Sequence, residues 1–288
     1  MSAMLRTSKL ACALLACALA AGTVPSGTRA DDGDARAIAE LKGMVAQLEQ
    51  RLTRVQDADQ IELLVSAYGY YLDKQQWDQL TDLFAEDGRM EISLRGVYVG
   101  KKSIRRALEL FGPQNIEPDH LHDHIQLQPV ITVSADGSHA FSRSRALSEL
   151  GTYQRVGMWG DGVYTNTYVK QNGVWKIAYD HIYTGFFANY DKGWQSGAGP
   201  APKVSEKIPP DLPPTELYES YPGQYIPPFQ YRHPVTGAPI EIPASLQVKP
   251  NANREAVPAQ APSAQATTDS PDARGRRSKG TRERGLQP

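Results

Sequence analysis

The chain has 288 residues, 40% of them hydrophobic, a formal charge of -1 and a mean hydropathy of -0.47. That length holds one or two domains, and the near-neutral balance supplies no basic field of the kind a nucleic-acid partner requires. Most of the 21 prolines lie beyond residue 199, so one packed core with long flanks is expected rather than two cores.

Residues 1–30 read as an export signal. Arg6 and Lys9 form a basic start, an apolar run follows over 10–22, and Thr28-Arg29-Ala30 offers a cleavage site before Asp31. The run is shorter than the roughly 20 residues that span a bilayer. The expectation is therefore an exported protein, periplasmic or secreted, with no integral membrane span. A second reading anchors the chain by lipid on Cys17, since Leu14-Leu15-Ala16-Cys17 loosely follows a lipobox, although Leu15 directly before Ala16 is unusual there. Both cysteines, Cys12 and Cys17, fall inside the signal, so cleavage leaves no disulfide, thiol nucleophile or thiolate ligand. Loss of Arg6, Lys9 and Arg29 leaves 28 basic residues against 32 acidic, a net charge of -4.

Residues 34–56 form an amphipathic or coiled-coil helix. Ile38, Leu41, Val45, Leu48, Leu52 and Val55 are spaced 3,4,3,4,3, the a/d pattern of a coiled coil. The stripe either lies on its own domain or joins copies of the chain. A core domain follows over 57–190. Asp57 or Asp59 can cap a helix whose apolar positions are Ile61, Leu64, Val65, Tyr68 and Leu72. A short helix over 77–84 ends at the turn pair Asp87-Gly88. Strands are expected at 89–94 and 96–99, a helix at 101–111, and a strand at 121–133 in which Pro129 requires an edge or a bulge. Asp136-Gly137 is a hairpin signal leading into a strand at 139–150, and Asn172-Gly173 is another between strands at 162–171 and 174–183. Helices followed by antiparallel hairpins give an α+β domain, with helices on one face of a sheet.

Residues 191–248 hold too much proline for regular structure. Tyr218, Tyr221, Tyr225, Phe229 and Tyr231 nevertheless make them too aromatic for a plain linker. They read as an ordered arm lying along a surface, with a peptide-like ligand for an aromatic groove as the alternative. Residues 249–288 have the composition of a disordered tail; from 251 onward they carry seven basic and four acidic residues.

The stretch "YGYYLDKQQWDQLTDLFAEDG" resembles the opening of SnoaL-like domains of the nuclear-transport-factor-2-like superfamily. So do its spacings to "GVYVGKKSI", "HDHIQLQPVITVSADGSHAFSR" and "GVYTNTYVKQNGVWKIAYDHIY". The resemblance covers about residues 57 to 187 and is closest to the scytalone-dehydratase-like and bile-acid-dehydratase-like branch. It implies a cone-shaped, curved antiparallel sheet packed on about three helices, with a pocket between them. In that branch an Asp four residues before a Trp faces the pocket and orients a catalytic His; Asp73, before Trp77, matches it. Tyr68, five before Asp73, matches a pocket Tyr, and His124, five before Pro129, matches the His. An Asp–His pair suffices for elimination: the imidazole takes a proton and returns it to the leaving hydroxyl. The resemblance also places Tyr98, Trp159, Tyr164, Asn166 and Tyr168 where the cavity is lined. Residues 164, 166 and 168 share one strand face. Arg143, Arg145 and Glu149 stand where the family often has a second His or an acid, which leaves the second acid–base group unidentified. His181 reads as structural.

No metal or other cofactor is expected. His120 and His124 on one strand would lie about 13 Å apart, too far for one ion, and the family's chemistry needs none. The first functional expectation is a cofactor-independent lyase of dehydratase type, acting on a small hydrophobic or aromatic hydroxylated compound through His124, Asp73 and Tyr68. The alternatives are a polyketide-cyclase- or isomerase-like enzyme using the same pair, and a non-catalytic exported binding or scaffolding protein. The expected partners are a small-molecule substrate and further copies of the chain, as a trimer or dimer.

Overall fold

The computed structural model describes residues 32–254. The export signal expected over 1–30 and the tail beyond 254 lie outside the described residues.

Helix α1 (Asp32–Asp73) is one continuous helix of 42 residues. The chain divides into two units inside it, between Leu48 and Glu49, and the described part of the first unit is helix throughout. Asp57 or Asp59 is expected from sequence to cap a new helix, but both lie inside α1. The Asp57 carboxylate accepts from Lys170 Nζ at 2.6 Å and from the Trp175 indole at 2.9 Å. A tertiary partner for the carboxylate removes any need for it to cap.

The second unit continues with α2 (Trp77–Asp82), β1 (Phe84–Ile92), β2 (Val97–Val99), α3 (Gly100–Leu108), β3 (His120–Val133), β4 (His139–Thr152), β5 (Val156–Gln171), β6 (Val174–Asn189) and the short α4 (Gly193–Gly197). Six strands form a sheet in the order β2-β1-β6-β5-β4-β3. It is mixed, not purely antiparallel, because β1 and β6 run parallel. The chain between them, β2 through β5 with α3, is the long crossover that a parallel pair requires. The Asp87-Gly88 pair, expected to turn the chain, lies within β1, where the pairing with β6 shifts register between Phe84 and Arg89.

Two further irregularities set which side chains face the core. Strand β3 is an edge strand and carries a bulge between Leu127 and Val130 that contains Pro129, both of the settings that proline tolerates. In β6, Ile177 pairs with Tyr168 and Tyr179 pairs with Thr167, so Ala178 is an extra residue. A bulge of one residue reverses the inside–outside phase of all that follows. Trp175 and Ile177 are therefore core residues before it, and Asp180 and Ile182 meet the same core after it.

The core packs Ile61, Val65, Tyr68 and Leu72 of α1, Trp77 and Leu80 of α2, and Ile104 and Leu108 of α3 against Met90, Tyr98, Ala146, Tyr164 and Tyr168 of the sheet. Gly69 lets α1 approach β3, since a Cβ there would stand 3.2 Å from both the His124 carbonyl and the Gln126 side chain.

Residues 199–254 return over the sheet. Leu212 bridges to Val97 at the edge strand β2. Ile208 joins the core, and its carbonyl accepts from the Tyr98 hydroxyl at 2.8 Å. β7 (Glu216–Leu217) pairs with β8 (Lys249–Pro250), so the first residues grouped with the tail by composition form a strand pair. Among the described residues no helix is long and apolar enough to cross a membrane.

Candidate active site

On β3, β4 and β5 the even-numbered side chains near the middle of each strand converge on α1. His124 is held at both ring nitrogens: Nε2 lies 2.9 Å from the Tyr164 hydroxyl and Nδ1 lies 3.0 Å from Ser148 Oγ. Burial, with His122 adding to it, lowers the imidazole pKa to about 3, so the ring is neutral at physiological pH. The Tyr68 hydroxyl donates to Asp180 Oδ2 at 3.1 Å. The Tyr68 and Tyr164 rings meet edge to face at 5.7 Å and so connect Asp180 to His124. Burial pushes the Asp180 carboxyl up to about 7, against the hydrogen bond from Tyr68. Among the described residues Asp180 Oδ1 and Gln126 Nε2 are buried polar atoms that make no close hydrogen bond; Asp180 interacts more weakly with Asn166 and Gln126 with Tyr164. A cleft of about 230 Å³ meets this cluster at His124 and Gln126; it is lined by Ser66, Gly69, Tyr70 and Asp73 of α1 and by His124, Ile125 and Gln126 of β3.

The expected residues fall into four groups. Tyr68, His124 and Tyr164 come together as described. Asp73 is at the site but does not orient the imidazole. Its Oδ1 accepts from the His124 backbone N–H at 2.5 Å, and both ring nitrogens are taken by hydroxyls. An aspartate at the last turn of α1 meets the edge of β3 where a main-chain donor is presented, and that contact holds strand and helix together. Burial pushes the Asp73 carboxyl up, against the His124 N–H. Asn166 and Tyr168 share Tyr164's face but serve the scaffold: Asn166 Oδ1 accepts from the His181 N–H at 3.2 Å, and the Tyr168 hydroxyl bonds Ser142 Oγ at 2.8 Å.

Tyr98 and Trp159 are not brought to His124. Tyr98 is committed to the Ile208 carbonyl. Trp159 stands five residues before Tyr164 on an uninterrupted β4–β5 ladder, so it faces the other side of the pleat, where it stacks on Tyr190 at 5.8 Å. The same alternation explains Arg143 and Arg145. They face away from His124, Arg143 bonding the Pro227 and Pro228 carbonyls and Arg145 pairing with Asp161. Ser142, Ser144 and Ser148 take the inward positions. His120 is exposed at the start of β3, and buried His122 donates from Nδ1 to the Leu72 carbonyl at 3.0 Å. No group of three or more His, Cys, Asp or Glu among the described residues is placed to hold a metal ion.

Asp180 is the residue the sequence reading missed. Its neighbour His181 faces the opposite side of the sheet with Tyr179 and Tyr183, where Glu91 is buried. Glu91 accepts from Thr215 N–H and Oγ1, each at 2.7 Å, and from the Tyr179 hydroxyl. His181 Nε2 is 3.5 Å from Glu91, and burial lowers its pKa to about 4, so this contact is not an ion pair at neutral pH. Strand alternation in "YDHIY" separates Asp180 from His181, but only the Ala178 bulge decides which of the two faces α1.

A sheet layered on three helices, with a neutral histidine and a buried carboxyl under a cleft between α1 and β3, defines a small α+β domain of the nuclear-transport-factor-2-like class. Residues 53–180 match the SnoaL-like domain family, and this segment of the chain is a SnoaL-like domain of that superfamily. Among solved structures the chain is similar to a scytalone-dehydratase-like protein from Novosphingobium aromaticivorans DSM 12444, at 25% identity over 48% of this chain and 90% of that one, with a TM-score of 0.42. It is also similar to a hexachlorocyclohexane dehydrochlorinase from Novosphingobium barchaimii LL02, at 19% identity over 48% and 93% of the two chains, with a TM-score of 0.42. No curated protein matches the chain.

Proposed function

We propose that the SnoaL-like domain is a cofactor-independent lyase of dehydratase type, acting on a small hydrophobic or aromatic compound with a hydroxyl β to a carbonyl. The observation that carries this reading is His124: a neutral imidazole held between two hydroxyls at the wall of a cleft. Substrate entering from that cleft takes the place of the Tyr164 hydroxyl at Nε2. The imidazole removes the α-proton, and the released Tyr164 hydroxyl donates to the developing enolate oxygen. The imidazolium, made a strong acid by its burial, returns the proton to the leaving hydroxyl. The products are the conjugated alkene and water. Asp73 holds the β3 main chain in place, and Asp180 fixes the Tyr68 hydroxyl beside Tyr164.

The finer architecture belongs to the same reading: a sheet curved into a cone around the cluster, and residues 191–248 acting as an arm that stiffens its outer face. The exported location expected of the signal segment would place the reaction outside the cytoplasm. A second reading, a non-catalytic small-molecule binder, is favoured by one observation. Tyr68, Tyr164 and Asp180 are all buried, and both His124 nitrogens already have protein partners.

A panel of aryl β-hydroxy ketones separates the two, read by the ultraviolet absorbance of the enone and, for binding, by tryptophan fluorescence. His124→Ala should lower turnover at least about a hundredfold and leave binding intact. Binding without turnover in the parent protein would favour the second reading, and equal turnover in the variant would remove His124 from the mechanism.

A further inference from the structure

Among the described residues the apolar stripe of α1 is exposed. Ile38, Leu41, Val45, Leu48, Leu52 and Val55 are each between 52% and 62% exposed. The residues that α1 does bury, Asp57, Ile61, Val65, Tyr68 and Leu72, occupy none of the a or d positions that the stripe defines. A solvated helix has no use for six large apolar side chains in a row at 3,4 spacing, whereas a coiled-coil seam requires them.

We propose that this stripe is an antiparallel two-stranded coiled-coil seam with a second copy of this chain. The pattern is complementary to itself. With the helices antiparallel and centred between residues 46 and 47, Ile38 faces Val55, Leu41 faces Leu52 and Val45 faces Leu48, so all six layers are apolar. The flanking charges choose the direction. Lys42 and Glu49 occupy e positions, and in the antiparallel register they meet twice, once on each side of the two-fold axis. A parallel pair would set Met44 opposite Glu49, Arg51 opposite Gln56 and Ala37 opposite Lys42, with no opposite charges in contact. An antiparallel self-pairing is isologous and closes at two copies, which selects the dimer over the trimer. The helix is already formed, because α1 runs unbroken into residues buried in the core, so association need not nucleate it.

Sedimentation velocity of the purified protein at micromolar concentration tests the proposal. The parent chain should sediment at twice the monomer mass. The double variant L41E/L48E should be a monomer that keeps the parent's far-ultraviolet circular-dichroism spectrum, since both positions are exposed. K42E and E49K, each placing like charges opposite one another, should weaken dimerisation about tenfold. The charge-swapped K42E/E49K should restore it. A monomeric parent, or an L41E/L48E variant that keeps the parent's mass, overturns the seam. A charge swap that fails to recover the single-variant loss overturns the antiparallel register.

Discussion

Replacing Asp180 by Asn should alter how stability depends on pH. The folded carboxyl sits at about 7 because it is buried, against an ordinary value of 3.8. A group whose folded pKa is raised contributes stability that is fully present below the unfolded value and is lost as pH rises through the folded one. Three units correspond to roughly 4 kcal/mol, of which about 3 kcal/mol falls between pH 5 and pH 8. Asparagine is nearly isosteric with the protonated acid and can still accept from the Tyr68 hydroxyl, so at pH 5 the two proteins should differ little. At pH 8 the variant should be the more stable by about 3 kcal/mol. Other titrating groups, including His124 and His181, are common to both and cancel in the difference. Urea unfolding followed by tryptophan fluorescence at the two pH values gives this quantity directly. Two curves separated by the same amount at pH 5 and pH 8 would mean that Asp180 is ionised throughout, and the account of its burial would be wrong.

Four further outcomes are expected. Asp57→Ala should cost about 2–3 kcal/mol in urea unfolding: it leaves the Trp175 indole unsatisfied, while Lys170 can partly turn to solvent. Asp73→Asn should retain turnover within a few-fold, because the amide oxygen still accepts from the His124 N–H; a large loss in steady-state rate would show that the carboxylate charge itself acts on the ring or the substrate. A chain ending at residue 199 loses Ile208 from the core and both Thr215 donors to Glu91. Its calorimetric midpoint should fall by about 10 °C, and an unchanged midpoint would show that residues beyond 199 contribute nothing. Acid should unfold the protein through its neutral histidines. Their folded values near 3 for His124 and 4 for His181 are depressed, so stability is lost as pH falls from about 6.5 toward those values. His181→Gln should flatten that limb in acid titration followed by circular dichroism.

Local chemistry was legible in the residues themselves. The 3,4 spacing of α1, the glycine turns at Asp136-Gly137 and Asn172-Gly173, and the proline that forces β3 to an edge or a bulge each act over a few residues. The hairpin strands β3 to β6 therefore appear close to where turn chemistry and period place them, and His124 and Tyr68 could be singled out with them. What Asp57 and Asp73 do could not be read this way. A carboxylate takes whichever donor lies nearest in space: Lys170 and Trp175, more than a hundred residues away, for one, and a main-chain N–H on β3 for the other. Trp159 illustrates a milder case, since its distance from Tyr164 already implied the opposite face once both were known to share a strand.

The sequence by itself determined the class of domain and the presence of an imidazole and tyrosines within it, because hydrophobic period and turn chemistry are properties of short stretches of chain. Only the tertiary structure decided that Asp180, rather than His181, joins Tyr68. One inserted residue at Ala178 reverses the phase of β6. That phase is set by the register against β5, and burial is set by what packs from elsewhere; neither is a property of any local stretch of sequence.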